Sequence, residues 1–173
     1  MSTKQQGLTL VELMVTLAVA IVLLAVGMPL FTGVAANNRA VAEANALTAA
    51  LKLARSEAVK RRVTVVVCSD DAGACGDAAD WKDGWMVFVD ENGNSVVDVD
   101  DEVLRTWAAL STESSITVTD GPTVAFQAAG DVAAQVTFEL FNSAVTATDV
   151  NDKKRCTTVA DSGQIRSTRG ACP

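Results

Sequence analysis

Between Leu8 and Phe31 the chain carries one ionisable side chain, Glu12, in a run whose only other polar residues are Thr9 and Thr16. A carboxylate carried to mid-bilayer costs roughly 2.5 to 3.5 kcal/mol, so this glutamate calls either for a cation to meet it or for a place beside the polar headgroups. Further along, "DENGNSVVDVDD" sets Asp90, Asn92, Asn94, Asp98 and Asp101 at positions 1, 3, 5, 9 and 12, the oxygen spacing of a helix-loop-helix calcium loop. The match departs at two places. Ser95 stands where the sharp turn asks for glycine, and the twelfth position holds the shorter aspartate in place of a bidentate glutamate. Because the flanks read as strands, a hairpin loop with Asx turns and a solvated acidic face is the favoured account, with weak calcium binding as the second.

Four cysteines and no histidine bound the remaining chemistry. A Ser or Cys nucleophile would lack its usual base, and no nucleophile elbow or Cys-His arrangement is present. The carboxylates at 98 to 102 supply the residue types of an acid-base pair, but nothing suggests a cleft around them. The cysteine spacings are not C-x-x-C, which argues against a structural metal. A non-enzyme without cofactor is therefore expected.

Charge is unevenly distributed. The formal net charge is −7 and the isoelectric point about 4.5, which argues against nucleic-acid binding by bulk attraction. From Lys153 to Pro173, however, Lys153, Lys154, Arg155, Arg166 and Arg169 face one acid, Asp161, so the tail is +4 and the rest of the chain −11.

The elements that must position these groups follow from periodicity. Residues 8–31 are apolar enough for a helix of about 36 Å at 1.5 Å per residue, sufficient to cross a bilayer. Gly27 and Pro29 should loosen or kink it. Helical pattern then resumes over 32–62: Val41, Ala44, Leu47, Leu51, Ala54 and Ala58 recur at steps of three or four, while Arg39, Glu43, Lys52, Arg55 and Arg62 are directed elsewhere. After Arg62 the period changes. "VTVVVC" from 63, "WMVFVD" from 85, "VLRTWAAL" from 103, "SSITVT" from 114, "TVAFQ" from 123, "QVTFELF" from 135, "RCTTVA" from 155 and "GQIRST" from 163 read as strands, with "DENGN" and "TDGP" as turns. One long helix followed by short strands predicts an α+β fold, the helix packed on a mainly antiparallel sheet or sandwich over residues 63–173.

An ordinary secretory signal fits poorly, since the apolar run is too long and no A-x-A-like site follows it. A short leader containing Lys4 and ending in Gly7, then "LTLVELMVTLAVAIVLLAVGMPLF", resembles instead the class III signal of type IV pilins and type II secretion pseudopilins. The resemblance implies a leader of residues 1–7 cut after Gly7 by a prepilin peptidase, which methylates the new amino terminus at Leu8. Glu12 becomes the fifth residue of the mature chain, and Pro29 falls where pilins commonly break their helix. The physics agrees with that role: the amine created at Leu8 is one helical turn from Glu12, and a carboxylate meeting it, within one chain or between neighbours, removes an unpaired buried charge and sets register.

"ALKLARSEAVKRRVTVVVC", "WKDGWMVFVDENGNSVVDVDDEVLR", "VAFQAAGDV" and "RCTTVADSGQIR" together resemble the FimT/FimU and GspH group of minor pilins and minor pseudopilins. Implied is a type IV pilin-like fold and a minor pilin that primes pilus assembly at the tip, the alternative being a GspH-like minor pseudopilin of a type II secretion system. The partners would be other minor and major pilins. The place would be the inner membrane, single-pass with a periplasmic carboxy-terminal domain, and then the extracellular pilus. In such a location four cysteines favour disulfides. Three pairings are allowed, and nearest-neighbour pairing, Cys68 with Cys75 and Cys156 with Cys172, is expected. DNA-uptake members of the FimT branch use a carboxy-terminal G-R-x-R motif. The matching residues here are Gly163, Gln164, Ile165 and Arg166, so the first arginine is missing. With Arg169, Lys153, Lys154 and Arg155 on the same tethered loop, Gln164 and Arg166 make a candidate for weak, salt-sensitive binding of double-stranded DNA. No Tyr, Trp or Phe lies in the tail for base stacking.

Overall fold

The computed structural model describes residues 9–76, 81–119, 121–146 and 149–172, and the side chains at 26 and 28–32 lie outside that description. A single helix, α1 (Leu10–Arg61), runs for 52 residues. Thr9 caps its start: the threonine is extended and its hydroxyl accepts the Glu12 N–H at 3.3 Å. At the other end Arg62 takes a left-handed conformation (φ 60°) and returns its N–H to the Ala58 carbonyl. Helical backbone continues through Gly27 and Pro29, so the loosening expected there does not end the element.

Nine strands follow among the described residues: β1 (Thr64–Asp71), β2 (Ala74–Cys75), β3 (Trp85–Asp90), β4 (Glu102–Trp107), β5 (Ser114–Val118), β6 (Thr123–Phe126), β7 (Val136–Asn142), β8 (Lys154–Val159) and β9 (Ile165–Arg169). A 3-10 turn, Val150–Lys153, precedes β8. In the first sheet β1 lies between β3 and β6, with β4 outside β3 and β2 pairing the far end of β1. The second sheet is ordered β5-β7-β8-β9, and every pairing in both sheets is antiparallel.

Side-chain alternation divides each strand. Val65 and Val67 of β1, Trp85, Val87 and Val89 of β3, and Val124 and Phe126 of β6 join the main core, whereas Val66, Cys68, Met86 and Phe88 form a smaller cluster covered in part by Val97 and Cys75. In the second sheet Ile116, Phe138, Leu140 and Val159 join the same main core. Both sheets thus pack on one stripe of α1, formed by Ala36, Ala40, Ala44, Leu47, Ala50, Leu51, Ala54 and Ala58. The stripe departs from expectation at one place: Val41 is exposed and Ala40 is buried instead. Alanine at six of the eight positions lets strands approach closely, and a bulkier residue at Ala54 would overpack this contact at about 1–3 kcal/mol. Disulfides join Cys68 to Cys75 and Cys156 to Cys172.

Candidate functional site

The amino-terminal half of α1 is built unlike the rest. Leu10, Val11, Leu13, Met14, Val15, Leu17, Val19 and the residues Ile21 to Leu24 are each more than half exposed. In water such a contiguous apolar surface is strongly unfavourable, which marks it for lipid or for other apolar helices. Among the described residues no helix is long and apolar enough to cross a membrane. The contiguously described side chains here, 10 to 25, cover about 24 Å of helix, short of the ~30 Å hydrocarbon core. The span expected over 8–31 includes side chains outside that description.

Glu12 lies on this exposed half, at the third helical position after the Thr9 cap. Threonine at the cap with glutamate three residues on is the pattern of a capping box, and the negative side chain sits where the helix dipole favours it. Gly7 and Leu8, the expected cleavage and methylation positions, lie outside the described residues.

The basic tail forms the β8–β9 hairpin, and its register separates the cations expected to act together. Arg155 lies opposite Arg169, whereas Thr158 lies opposite Arg166, so Arg166 and Arg169 project from different faces of β9. Arg155 is buried at 8% exposure; its guanidinium donates to Asn37 Oδ1 of α1 at 2.8 Å and to the Lys154 and Asp152 carbonyls. Burial, helped by the neighbouring Arg169, pulls its pKa below the usual arginine value. Lys154 pairs with Glu139 at 2.7 Å, Arg169 with Asp152 at 3.3 Å, and Lys153 donates to the Ser143 carbonyl. Arg166 alone among these five has no hydrogen bond or ion pair from its side chain among the described residues. Lys153, Lys154, Arg155 and Arg169 thus lie at one end of the hairpin, each held by a local partner, while Arg166 stands apart on the other face of β9.

Gln164 belongs to a different surface. With Ile165, Ala129, Lys52, Arg55, Ser56, Val59 and Lys60 it lines a groove of about 720 Å³ between α1 and the turns of the two sheets. Arg55 forms its inner wall, Nε donating to the Gly130 carbonyl at 3.0 Å and Nη2 to the Ser162 carbonyl at 3.1 Å. A Cβ added at Gly163 would meet Gly130 O at 1.8 Å, so the two glycine turns close on Arg55 with no space for a side chain. Apart from Gln164, which was singled out with the basic tail, these groove residues were not read from the sequence as a site. Glu43 also proves structural, accepting from the Ser111 N–H and the Ser114 hydroxyl and so tying α1 to the turn before β5 and to the first residue of that strand.

The acidic loop is organised by its own donors. Asp90, 3% exposed, accepts the N–H groups of Gly93, Asn94 and Ser95. Asp101 accepts those of Glu91 and Asp98. The Asn92 and Asn94 amides donate to Asp98, and these bonds, the Asn92 one foremost and with the Asp100 N–H, hold the Asp98 carboxyl below its ordinary pKa. Ser95, at the turn position, adopts φ 59°. Thus all five candidate calcium residues belong to one connected hydrogen-bond network. No group of three or more acidic, histidine or cysteine side chains placed to hold a metal occurs among the described residues. Beside the loop, Arg61 is held by Glu102 and Glu57, raising the Arg61 pKa, while Arg61 and then Lys60 lower that of Glu57.

Residues 43–163 match the family model described as type II transport protein GspH, and residues 2–28 match that of the prokaryotic N-terminal methylation motif. No curated protein sequence matches the chain. Among solved structures, the type IV minor pilin FimU of Pseudomonas aeruginosa is similar with a TM-score of 0.58 and 19% identity, covering 78% of this chain and 96% of that one. The minor pseudopilin EpsH from the type 2 secretion system of Vibrio cholerae is similar with a TM-score of 0.55 and 14% identity, covering 76% and 97%.

Proposed function

Since the chain belongs to the type II transport protein GspH family, we propose that it serves as a minor pilin of a type IV pilus, entering near the tip to prime assembly with other minor and major pilins. The carrying observation is the division of α1: one half is seated in the β-rich core, and the other presents a bare apolar surface with Glu12 near its start. In this reading a prepilin peptidase cuts after Gly7 and methylates Leu8. The exposed half then anchors the unassembled subunit in the inner membrane, with residues 63–173 on the periplasmic side, and Glu12 meets the Leu8 amine of its own chain or a neighbour. The charge pair stabilises one register of helices, because an unpaired carboxylate among them is costly. Glu12→Ala is expected to leave processing intact and to impair filament incorporation, read by immunoblotting of sheared pili. Normal incorporation would rule out the pairing role.

A minor pseudopilin of a type II secretion system is the second reading, favoured by the description of the matching family. Deleting the gene separates the two: loss of surface pili with normal secretion supports the pilus, and the converse supports the secretion system. Binding of double-stranded DNA is a narrower extension, for which Arg166 is the available tail cation.

A further inference from the structure

We infer that the 3-10 turn Val150–Lys153 docks on phospholipid headgroups of the leaflet from which α1 emerges, with Lys153 on lipid phosphate and Val150 seated among the headgroups; this rests on the membrane-anchored reading of α1. The height of the turn follows from the contacts of its flanks with the helix. The apolar run ends at Phe31. At 1.5 Å per residue Gly33 stands about 3 Å beyond it and Asn37 about 9 Å, against a headgroup layer roughly 5–7 Å deep on each side of the hydrocarbon core. Before the turn, Thr146 lies so close to Gly33 that a Cβ there would meet its Oγ1 at 2.8 Å. After the turn, Arg155 donates to Asn37 at 2.8 Å. The turn is thus held at the foot of the globular domain, where α1 leaves the bilayer.

The side chains gathered there suit a headgroup contact. Val34 of α1 and Val150 of the turn are each 59% exposed, two aliphatic groups at the level where lipid begins. Lys153 donates to the Ser143 carbonyl at 3.4 Å, a long bond to a neutral acceptor, which an anionic phosphate oxygen replaces with a stronger one. Arg155 is bonded to an amide oxygen and two carbonyls, so its positive charge adds to that of Lys153. Of the two acids at the turn, Asp152 is met by Arg169 at 3.3 Å, and Asp149 is engaged as the cap, accepting the Asn151 N–H at 2.9 Å. A cation beside an anionic leaflet is attracted to it over a short range, and the contact holds the unassembled subunit in one orientation on the membrane.

The test uses the full chain reconstituted in vesicles of phosphatidylethanolamine and phosphatidylglycerol, with the photoreactive residue p-benzoylphenylalanine in place of Val150 or, as a control, of Val99. Val99 is fully exposed in the loop that ends at Glu102 on Arg61, and Arg61 lies about 45 Å along α1 from Phe31. After illumination, mass spectrometry is expected to find a phospholipid adduct at 150 and none at 99. Lys153→Gln should lower the yield at 150 about fivefold, the effect of one cation near an anionic surface, and Lys153→Arg should keep it. Equal yields at the two positions, or a yield at 150 indifferent to Lys153→Gln, would overturn the proposal. Flotation with the vesicles is scored on the same samples. A chain that floats without the adduct refutes the headgroup contact alone, and one that fails to float refutes the anchored reading and the contact with it.

Discussion

Arg155 and Asn37, 118 residues apart in the chain, meet at 2.8 Å where β8 passes α1. The contact converts an arginine that reads as a surface charge into a tie between the helix and the second sheet. Its partners are an amide oxygen and two carbonyls, so the positive charge is solvated by protein dipoles.

Arg155→Ala is accordingly expected to destabilise the fold by about 1–3 kcal/mol, since it removes a buried side chain whose three hydrogen bonds tie β8 to α1 and to the preceding turn, whereas Arg166→Ala should stay within about 0.5 kcal/mol. Urea unfolding followed by circular dichroism compares them. In DNA titrations at low and high salt the order should reverse: Arg166→Gln weakens low-salt binding while Arg155 is masked by its bonds. Absence of binding at low salt would remove the DNA extension.

Glycine at 163 is required twice over, by its φ of +74° and by the Gly130 carbonyl 1.8 Å from where a Cβ would lie. Gly93 has a similar φ of +77° but open space around it. Gly93→Ala should therefore cost about 1–2 kcal/mol of backbone strain, and Gly163→Ala about 3 kcal/mol or more, since the turn and the Arg55 bonds must also shift. Thermal unfolding of the pair isolates the steric contribution from the conformational one.

Removal of the disulfides should have unequal effects. Their sequence separations are 16 for Cys156–Cys172 and 7 for Cys68–Cys75. Loop-closure entropy then predicts losses of about 3 and about 2 kcal/mol for the paired Cys→Ser variants, measurable as separate shifts in denaturant midpoint.

Acid should weaken two polar clusters. Glu57 is held below its ordinary pKa by Arg61 and then Lys60, and Asp98 chiefly by the Asn92 amide. A carboxyl depressed in the folded state stabilises it fully above the unfolded pKa of about 4, and the contribution is lost as pH falls through the folded value. Melting temperature should therefore drop below about pH 4, less steeply in Glu57→Gln than in the parent. Equal slopes would show that the Arg61–Glu57 contact is already screened by solvent.

Local pattern carried much of the architecture. The eight strand segments read from β-branched and apolar runs bounded by turn residues correspond to eight of the nine strands described, because such runs and turns are encoded within a few neighbours; the two-residue β2 carries too little pattern to be read. The buried stripe of α1 was legible except at Val41, where apolarity favoured valine but close strand packing selected Ala40. The groove was not legible. Its wall depends on Arg55 reaching Gly130 and Ser162, 75 and 107 residues away, and on two glycine turns from different sheets meeting there.

By itself, then, the sequence determined the long helix, the lone carboxylate in its apolar half, the strand-rich remainder and the family resemblance, all of which rest on residue type and short-range spacing. Tertiary structure decided which charges are available. The pleat of β9 sent Arg166 and Arg169 to opposite faces, and long-range hydrogen bonds occupied Arg155 and Arg55. Such assignments depend on the register of strands and on contacts between segments a hundred residues apart, which no local spacing specifies.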